Sequence, residues 1–217
     1  MKIFRVLWPL CSLFLLLCGG PQLQSCIKDE SSCDTCIESR KPNIYLYPQE
    51  ELNLKVKVSF PRGGHITKSI PEYGNCWNVK VEPSGLIDDE YSFLFYESKQ
   101  PEVWQMELGW TVPKHELTSF FRDNLQQYGF NGREIEDFLE YWIPILIDFE
   151  MYHIYPQTSE IIEQVVQLDF SKEPDQLLRL FYFFEGTTSA KGLEAPEISH
   201  FERGDGFVVT EWGGMYE

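Results

Sequence analysis

The clearest pattern in the chain is the strict alternation of Leu52, Leu54, Val56, Val58 and Phe60 with Asn53, Lys55, Lys57 and Ser59. Period two of this kind marks a strand with one face in the core and one in water. Trp77, Val79 and Val81 repeat it against Asn78, Lys80 and Glu82, before the turn residues Pro83, Ser84 and Gly85. A β-type run of aromatic and branched residues occupies 44–47 between Pro42 and Pro48. A weaker strand is expected through Ile66 and Ile70, and further strands over 91–97 and 104–108. Short strands separated by turn residues at this spacing predict an antiparallel sheet or sandwich lobe.

At Pro113 the period changes. Leu117, Phe120, Phe121, Asn124, Leu125 and Tyr128 fall on one helical face, and Gly129 stops the helix. Asn131 and Glu134 have the spacing of a capping box and open a second helix, with Ile135, Phe138, Leu139, Trp142 and Leu146 inward. Pro144 cannot supply the amide hydrogen that continues the helix, so it ends or kinks there. Two helices joined by so short a connection pack as a hairpin. The acids Glu134, Glu136, Asp137 and Glu140 read as a solvated face. Residues 151–156 are expected to be extended, and 159–164 to form a short helix. The run 177–184, apolar apart from Arg179, has the composition of a central strand buried on both faces, and 207–212 of a second one. The fold class expected is α+β: a mostly antiparallel β-sheet or sandwich lobe with a packed helical hairpin.

The N-terminal pattern changes where this domain would work. Lys2 and Arg5 precede an apolar run over 6–18 that relaxes into Gly19, Gly20 and Pro21. That is the layout of a secretory signal peptide, and the run is too short to cross a bilayer as a permanent helix. Leu23-Gln24-Ser25-Cys26 resembles the lipobox of bacterial lipoproteins, which implies that Cys26 is acylated and becomes the mature N-terminus; cleavage after Ser25 to release a secreted soluble protein is the alternative. The organisation expected is a signal peptide over 1–25, a polar tether over 26–40 after lipidated Cys26, and one α+β domain over 41–217. Its localisation would be the cell envelope, lipid-anchored outside the cytoplasm.

Charge and cysteines narrow the partners. The chain carries 18 Lys and Arg against 34 Asp and Glu, a net charge of −16. The leader holds Lys2 and Arg5 and no acid, so its removal makes the remainder more acidic still. Without a basic footprint to neutralise phosphates, nucleic acid is not an expected partner. Cys33 and Cys36 form a C-x-x-C, but no second pair or histidine set completes a zinc site and no βαβ unit frames a thioredoxin motif. In an oxidising compartment these cysteines read as a local or long-range disulfide, such as Cys36 to Cys76. His65, His115, His153 and His200 lie far apart with no ligand spacing, so neither metal nor cofactor is expected. No serine has the flanking glycines of a nucleophile elbow.

Four stretches look familiar together: Lys41-Pro42-Asn43-Ile44-Tyr45-Leu46-Tyr47-Pro48, Phe93-Leu94-Phe95-Tyr96-Glu97, residues 137–144, and Phe201-Glu202-Arg203 with residues 206–214. They resemble an uncharacterised, mainly bacterial family of secreted or lipoprotein-like proteins with a KPxIYLYP opening and an EWGG ending. The resemblance covers nearly all of residues 41–214 and departs from the family at Tyr96, where a tryptophan is expected. It implies one recurring domain and assigns no catalytic role.

Three charges interrupt apolar faces. Glu97 continues the face of Tyr91, Phe93 and Phe95, Arg179 that of Leu177, Phe181 and Phe183, and Glu211 that of Phe207 and Val209. A buried charge costs several kcal/mol unless paired, so Arg179 with Glu211 on neighbouring strands is the plain structural explanation. The functional one opens the strand ends into a pocket. There Glu97 and Glu211 are the paired catalytic carboxylates of a glycan-directed hydrolase, Arg179 holds a polar ligand, and Trp142, Trp212 or Tyr96 stacks on a sugar ring. The two functions expected are therefore a non-catalytic extracytoplasmic module for a glycan or small polar ligand, and that hydrolase.

Overall fold

The computed structural model describes residues 36–216. In chain order its elements are β1 (Cys36–Tyr47), β2 (Leu52–Ser59), β3 (His65–Ile70), β4 (Trp77–Val81), β5 (Leu94–Pro101), β6 (Trp110–Pro113), α1 (Leu117–Tyr128), α2 (Gly132–Trp142), β7 (Met151–Thr158), α3 (Ser159–Ile162), β8 (Gln167–Phe170), β9 (Gln176–Thr187) and β10 (Val208–Tyr216). Seven strands form one sheet in the order β3-β5-β1-β10-β9-β7-β6, and β4-β2-β8 form a second. All the pairings between these strands are antiparallel except β9 with β10. The protein is thus α+β, a mostly antiparallel sheet assembly with a small helical hairpin, as the patterning predicts.

Because successive strand residues point to opposite faces, the large sheet has two buried surfaces. On one, Ile44, Leu46, Leu94, Phe181, Phe183, Val209 and Met215 meet the apolar side of the small sheet, Leu54, Val56 and Val58 with Trp77, Val79 and Val81. On the other, Tyr45, Leu180, Tyr182, Phe184 and Trp212 meet Phe121 and Leu125 of α1 and Phe138 and Trp142 of α2. At about 1.5–3 kcal/mol for each large side chain removed from water, these two layers are the main stabilising force. Gly214 lets the second layer close: a Cβ there would lie 2.6 Å from Trp142 Cζ2 and 2.8 Å from Phe184 Cε2.

The hairpin has the expected punctuation. Gly129 takes φ 108° and its N–H reaches back to Leu125 and Gln126, and Asn131 with Glu134 forms the capping box. α2 ends at Trp142, two residues before Pro144. Glu134 is a correction to the solvated face: it is fully buried, accepting from Asn131 N at 3.0 Å and Thr210 Oγ1 at 2.6 Å and pairing with Arg203.

The strand expected over 104–108 does not form. Gln105 and Gln157 exchange the bonds a ladder would make, Gln157 Oε1 accepting from Gln105 N and Gln157 Nε2 donating to Gln105 O, both at 2.9 Å. Pairing with β7 begins instead at Trp110. β8 is too short to show a period and was not foreseen. Residues 36–40, expected in the tether, are strand and pair with β5. Cys36 is disulfide-bonded, whereas Cys76 is a free thiol accepting from Asn78 Nδ2 at 3.3 Å, so the suggested Cys36–Cys76 bridge is not made. Cys33 and Cys26, like the leader, lie outside the described residues.

Candidate functional site

The three charged residues separate according to the face they occupy. Arg179 and Glu211 are directly opposite in the β9–β10 register and face the small sheet. Their side chains are 1% and 0% exposed, with Nε donating to Oε2 at 2.5 Å. Arg179 Nη1 also donates to Val166 O at 2.8 Å, and the Tyr96 hydroxyl donates to Glu211 Oε1 at 2.7 Å. Burial, then the Glu211 charge, holds the Tyr96 hydroxyl well above its ordinary pKa, so it remains a donor. Glu97 follows Tyr96 on β5 and therefore points the other way, towards the helices. The expected pairing of Glu97 with Glu211 is thereby corrected: the large sheet lies between them, and Glu211 is spent in an ion pair closed to water. Trp142, Trp212 and Tyr96 are each 0% exposed and offer no stacking platform, and Arg179 cannot reach an external ligand.

Glu97 lies instead on the face that holds Lys41, whose amine feels its charge, and beside Lys41 is a cleft that the charge pattern did not single out. Between Arg40 and Asn43, β1 advances three residues while β10 advances two, from Gly214 to Trp212. Against β5 the count is four to three, from Ser39/Ser98 to Asn43/Phe95. One extra residue is therefore inserted on both sides of an interior strand, a β-bulge. Lys41 lies in it with φ 55°, the left-handed region that a non-glycine residue enters at a cost of about 1–3 kcal/mol. Bulges re-aim side chains, and this one reverses the strand's parity. Ser39 bonds Gln100 on the small-sheet side, whereas Asn43 shares the helix side with Tyr45.

The Lys41 amine ends up among three rings, with Nζ 4.6 Å from the centre of Phe95, 5.1 Å from Phe93 and 5.5 Å from Tyr141. Lys68 Nζ lies 5.4 Å from the Phe95 ring, so two cations share it. Lys41, Asn43, Phe93, Asp137, Glu140 and Tyr141 line an open cleft of about 350 Å³ between the sheet and α2. Asp137 is anchored at its base, accepting from the Tyr45 hydroxyl at 2.9 Å, and Asn43 Nδ2 donates to that hydroxyl at 3.5 Å. Asn43 is fully buried, yet its Oδ1 has no hydrogen-bond partner among the described residues. A buried carbonyl left so costs about 1–3 kcal/mol.

The cleft draws on three of the four stretches that carry the family resemblance, through Lys41, through Phe93 to Glu97, and through Asp137 to Tyr141. The fourth closes the layer beneath it, Gly213 leaving room for Pro42, whose Cγ would be 3.1 Å from a Cβ there. Its residues are ordinary in type, and the signal that could have found them in the sequence was the Lys-Pro at the start of a strand. Among the described residues, no three of His, Cys, Asp and Glu are grouped as metal ligands would be.

Burial pulls the Lys41 amine below the ordinary lysine pKa, opposed by the charge of Asp137, reinforced by Lys68, and opposed again by Glu97 and Glu140. Lys80, hydrogen-bonded to Asp89 on the surface, is held above it. Reductive ¹³C-methylation followed by NMR titration should therefore show Lys41 losing its proton at lower pH than Lys80. Asp137→Asn should lower the Lys41 value further, because it removes an opposing charge; titration of Lys41 at or above Lys80 would contradict the buried cage.

The chain is similar to an "Uncharacterized protein in bglA 3'region" from Butyrivibrio fibrisolvens, 42% identical over a 62-residue alignment that covers 26% of this chain and 64% of that protein. It spans just under two thirds of that relative's length. No family model matches the chain, and no solved structure matches it. The likeness is to a protein itself uncharacterised, consistent with the kind of family that the four stretches resemble.

Proposed function

We propose that this protein is a non-catalytic, extracytoplasmic ligand-binding module, held to the membrane by a lipid on Cys26, whose ligand docks in the Lys41 cleft. The observation that carries the reading is an open cleft lined by Lys41, Asn43, Asp137 and Glu140 and by the rings of Phe93 and Tyr141, beside the strained backbone of Lys41. The carboxylates of Asp137 and Glu140 are its acceptors and one ammonium its charged donor. Acceptors outnumber donors, so the ligand is rich in hydrogen-bond donors: a small polyhydroxylated molecule or a sugar unit. Apolar ring faces with a few fixed polar groups are how concave sites bind such molecules. Two-carboxylate hydrolysis by Glu97 and Glu211 needs both acids in one wet cleft, and they stand on opposite faces of the sheet. Of the two acids in the cleft itself, Asp137 is already engaged by the Tyr45 hydroxyl, which favours a holding role over acid/base work, so the glycan alternative is kept as a ligand class.

Saturation-transfer NMR with the leaderless protein and a panel of sugars, amino sugars and polyols should yield a ligand. Lys41→Met and Glu140→Gln should each weaken it about tenfold or more, or about 1.4 kcal/mol, with the melting temperature unchanged. Binding indifferent to both substitutions, or no ligand in the panel, would overturn the assignment.

The anchor rests on the lipobox-like Leu23-Gln24-Ser25-Cys26 and the apolar leader. No helix among the described residues is long and apolar enough to cross a membrane. Expression with labelled palmitate should label the wild type and not Cys26→Ser. Equal labelling of both, or none in the wild type, rejects the anchor.

A further inference from the structure

The hairpin has a second flank. Trp77, Trp104, Trp142 and Trp212 are all buried, so among the described residues Trp110 on β6 is the one tryptophan left partly open. Its ring is held edge-on by Phe120 of α1, centres 5.4 Å apart and planes at 61°. Two cavities, of about 510 Å³ and about 520 Å³, lie against this pair and share Trp110, Phe120 and Asp123 as walls. We read them as one trough with the aromatic pair between its two halves.

The opposite wall is the loop before β10, and hydrogen bonds to its backbone fix it in place. Gly109 N donates to Glu194 O at 2.9 Å, Thr111 Oγ1 to Lys191 O at 2.7 Å and Phe201 N to Tyr128 O at 3.2 Å. Along the trough, Asp123 offers acceptors and Lys191 a donor. Asn124 lines the second cavity although it is only 4% exposed. Its Oδ1 accepts the Tyr182 hydroxyl at 2.6 Å, which leaves the amide N–H₂ as the group offered to a ligand.

We propose that this trough is a second binding site, independent of the Lys41 cleft, and that it takes a linear neutral oligosaccharide with one ring laid on Trp110. An indole presents an apolar face to the C–H groups of a sugar, while nearby carboxylate and amide groups take its hydroxyls. Two cavities meeting at one aromatic pair fit a chain that continues to either side of the stacked ring, which a monosaccharide would not fill. The acids Glu116 and Asp123 against the single cation Lys191 disfavour an anionic chain.

The test is calorimetric titration of the leaderless protein with cellohexaose, xylohexaose and maltohexaose, with tryptophan emission as a second readout on the wild type. Trp110 is the partly exposed reporter, so binding shifts emission to the blue. At least one hexasaccharide should bind, at least about tenfold tighter than its disaccharide. Trp110→Ala and the surface substitution Asp123→Ala should each weaken it about tenfold or more at unchanged melting temperature, while Lys41→Met leaves it intact. The site is refuted if none of the three hexasaccharides binds, if the disaccharide binds equally well, or if binding survives Trp110→Ala and Asp123→Ala. Loss with Lys41→Met instead would move the ligand to the other cleft and refute this site as well.

Discussion

The ion pair between Arg179 and Glu211 is the interaction on which the arrangement of the large sheet depends. It bridges β9 and β10, the parallel pair in the middle of that sheet, and lies where no water reaches it. Slipping β10 by one residue would turn Glu211 to the aromatic layer under the helices and leave Arg179 facing the small sheet alone. A one-residue slip inverts every side chain of a strand, and an unpaired buried charge costs more than most single contacts supply. The pair therefore acts against misregister. Tyr96 extends this constraint across β1 to β5 by donating to the same carboxylate.

With that register held, the bulge at Lys41 acquires its meaning. β1 runs between β5 and β10, and a single extra residue there reverses which side its neighbours face. Lys41 is carried over three rings, and Asn43 is left with a buried carbonyl oxygen that nothing in the described protein satisfies. Both the positive φ and the orphaned acceptor are destabilising, and both lie at the same cleft.

Much of the fold was legible because local chemistry and tertiary packing agree. Gly129, the Asn131–Glu134 box and Pro144 mark the hairpin, and alternation marks β2 and β4. Glu211 falls on the face of Phe207 and Val209 as expected and Glu97 on that of Phe93 and Phe95, whereas Tyr91 lies before β5 and packs in the other layer. What alternation could not show is that Glu97 and Glu211 lie on opposite faces of one sheet, because a strand buried on both sides looks apolar throughout. The same limit made Trp212 look like a platform, whereas Trp142 lies on the inward face that the helical period gives it. The bulge was hidden because an inserted residue changes no composition, and β6 was misplaced because Gln105 and Gln157 side chains took over backbone bonds that a strand would have made.

The most direct measurement is thermal unfolding of Glu211→Gln beside Glu97→Gln. Leaving Arg179 buried without its partner should cost about 3–5 kcal/mol and lower the melting temperature by on the order of 10 °C. Glu97→Gln, half-buried on the helix side of the sheet, should shift it by no more than about 2 °C. A stable Glu211→Gln, or a Glu97→Gln that unfolds as readily, would contradict the assignment of the framework role to Glu211 and not to Glu97.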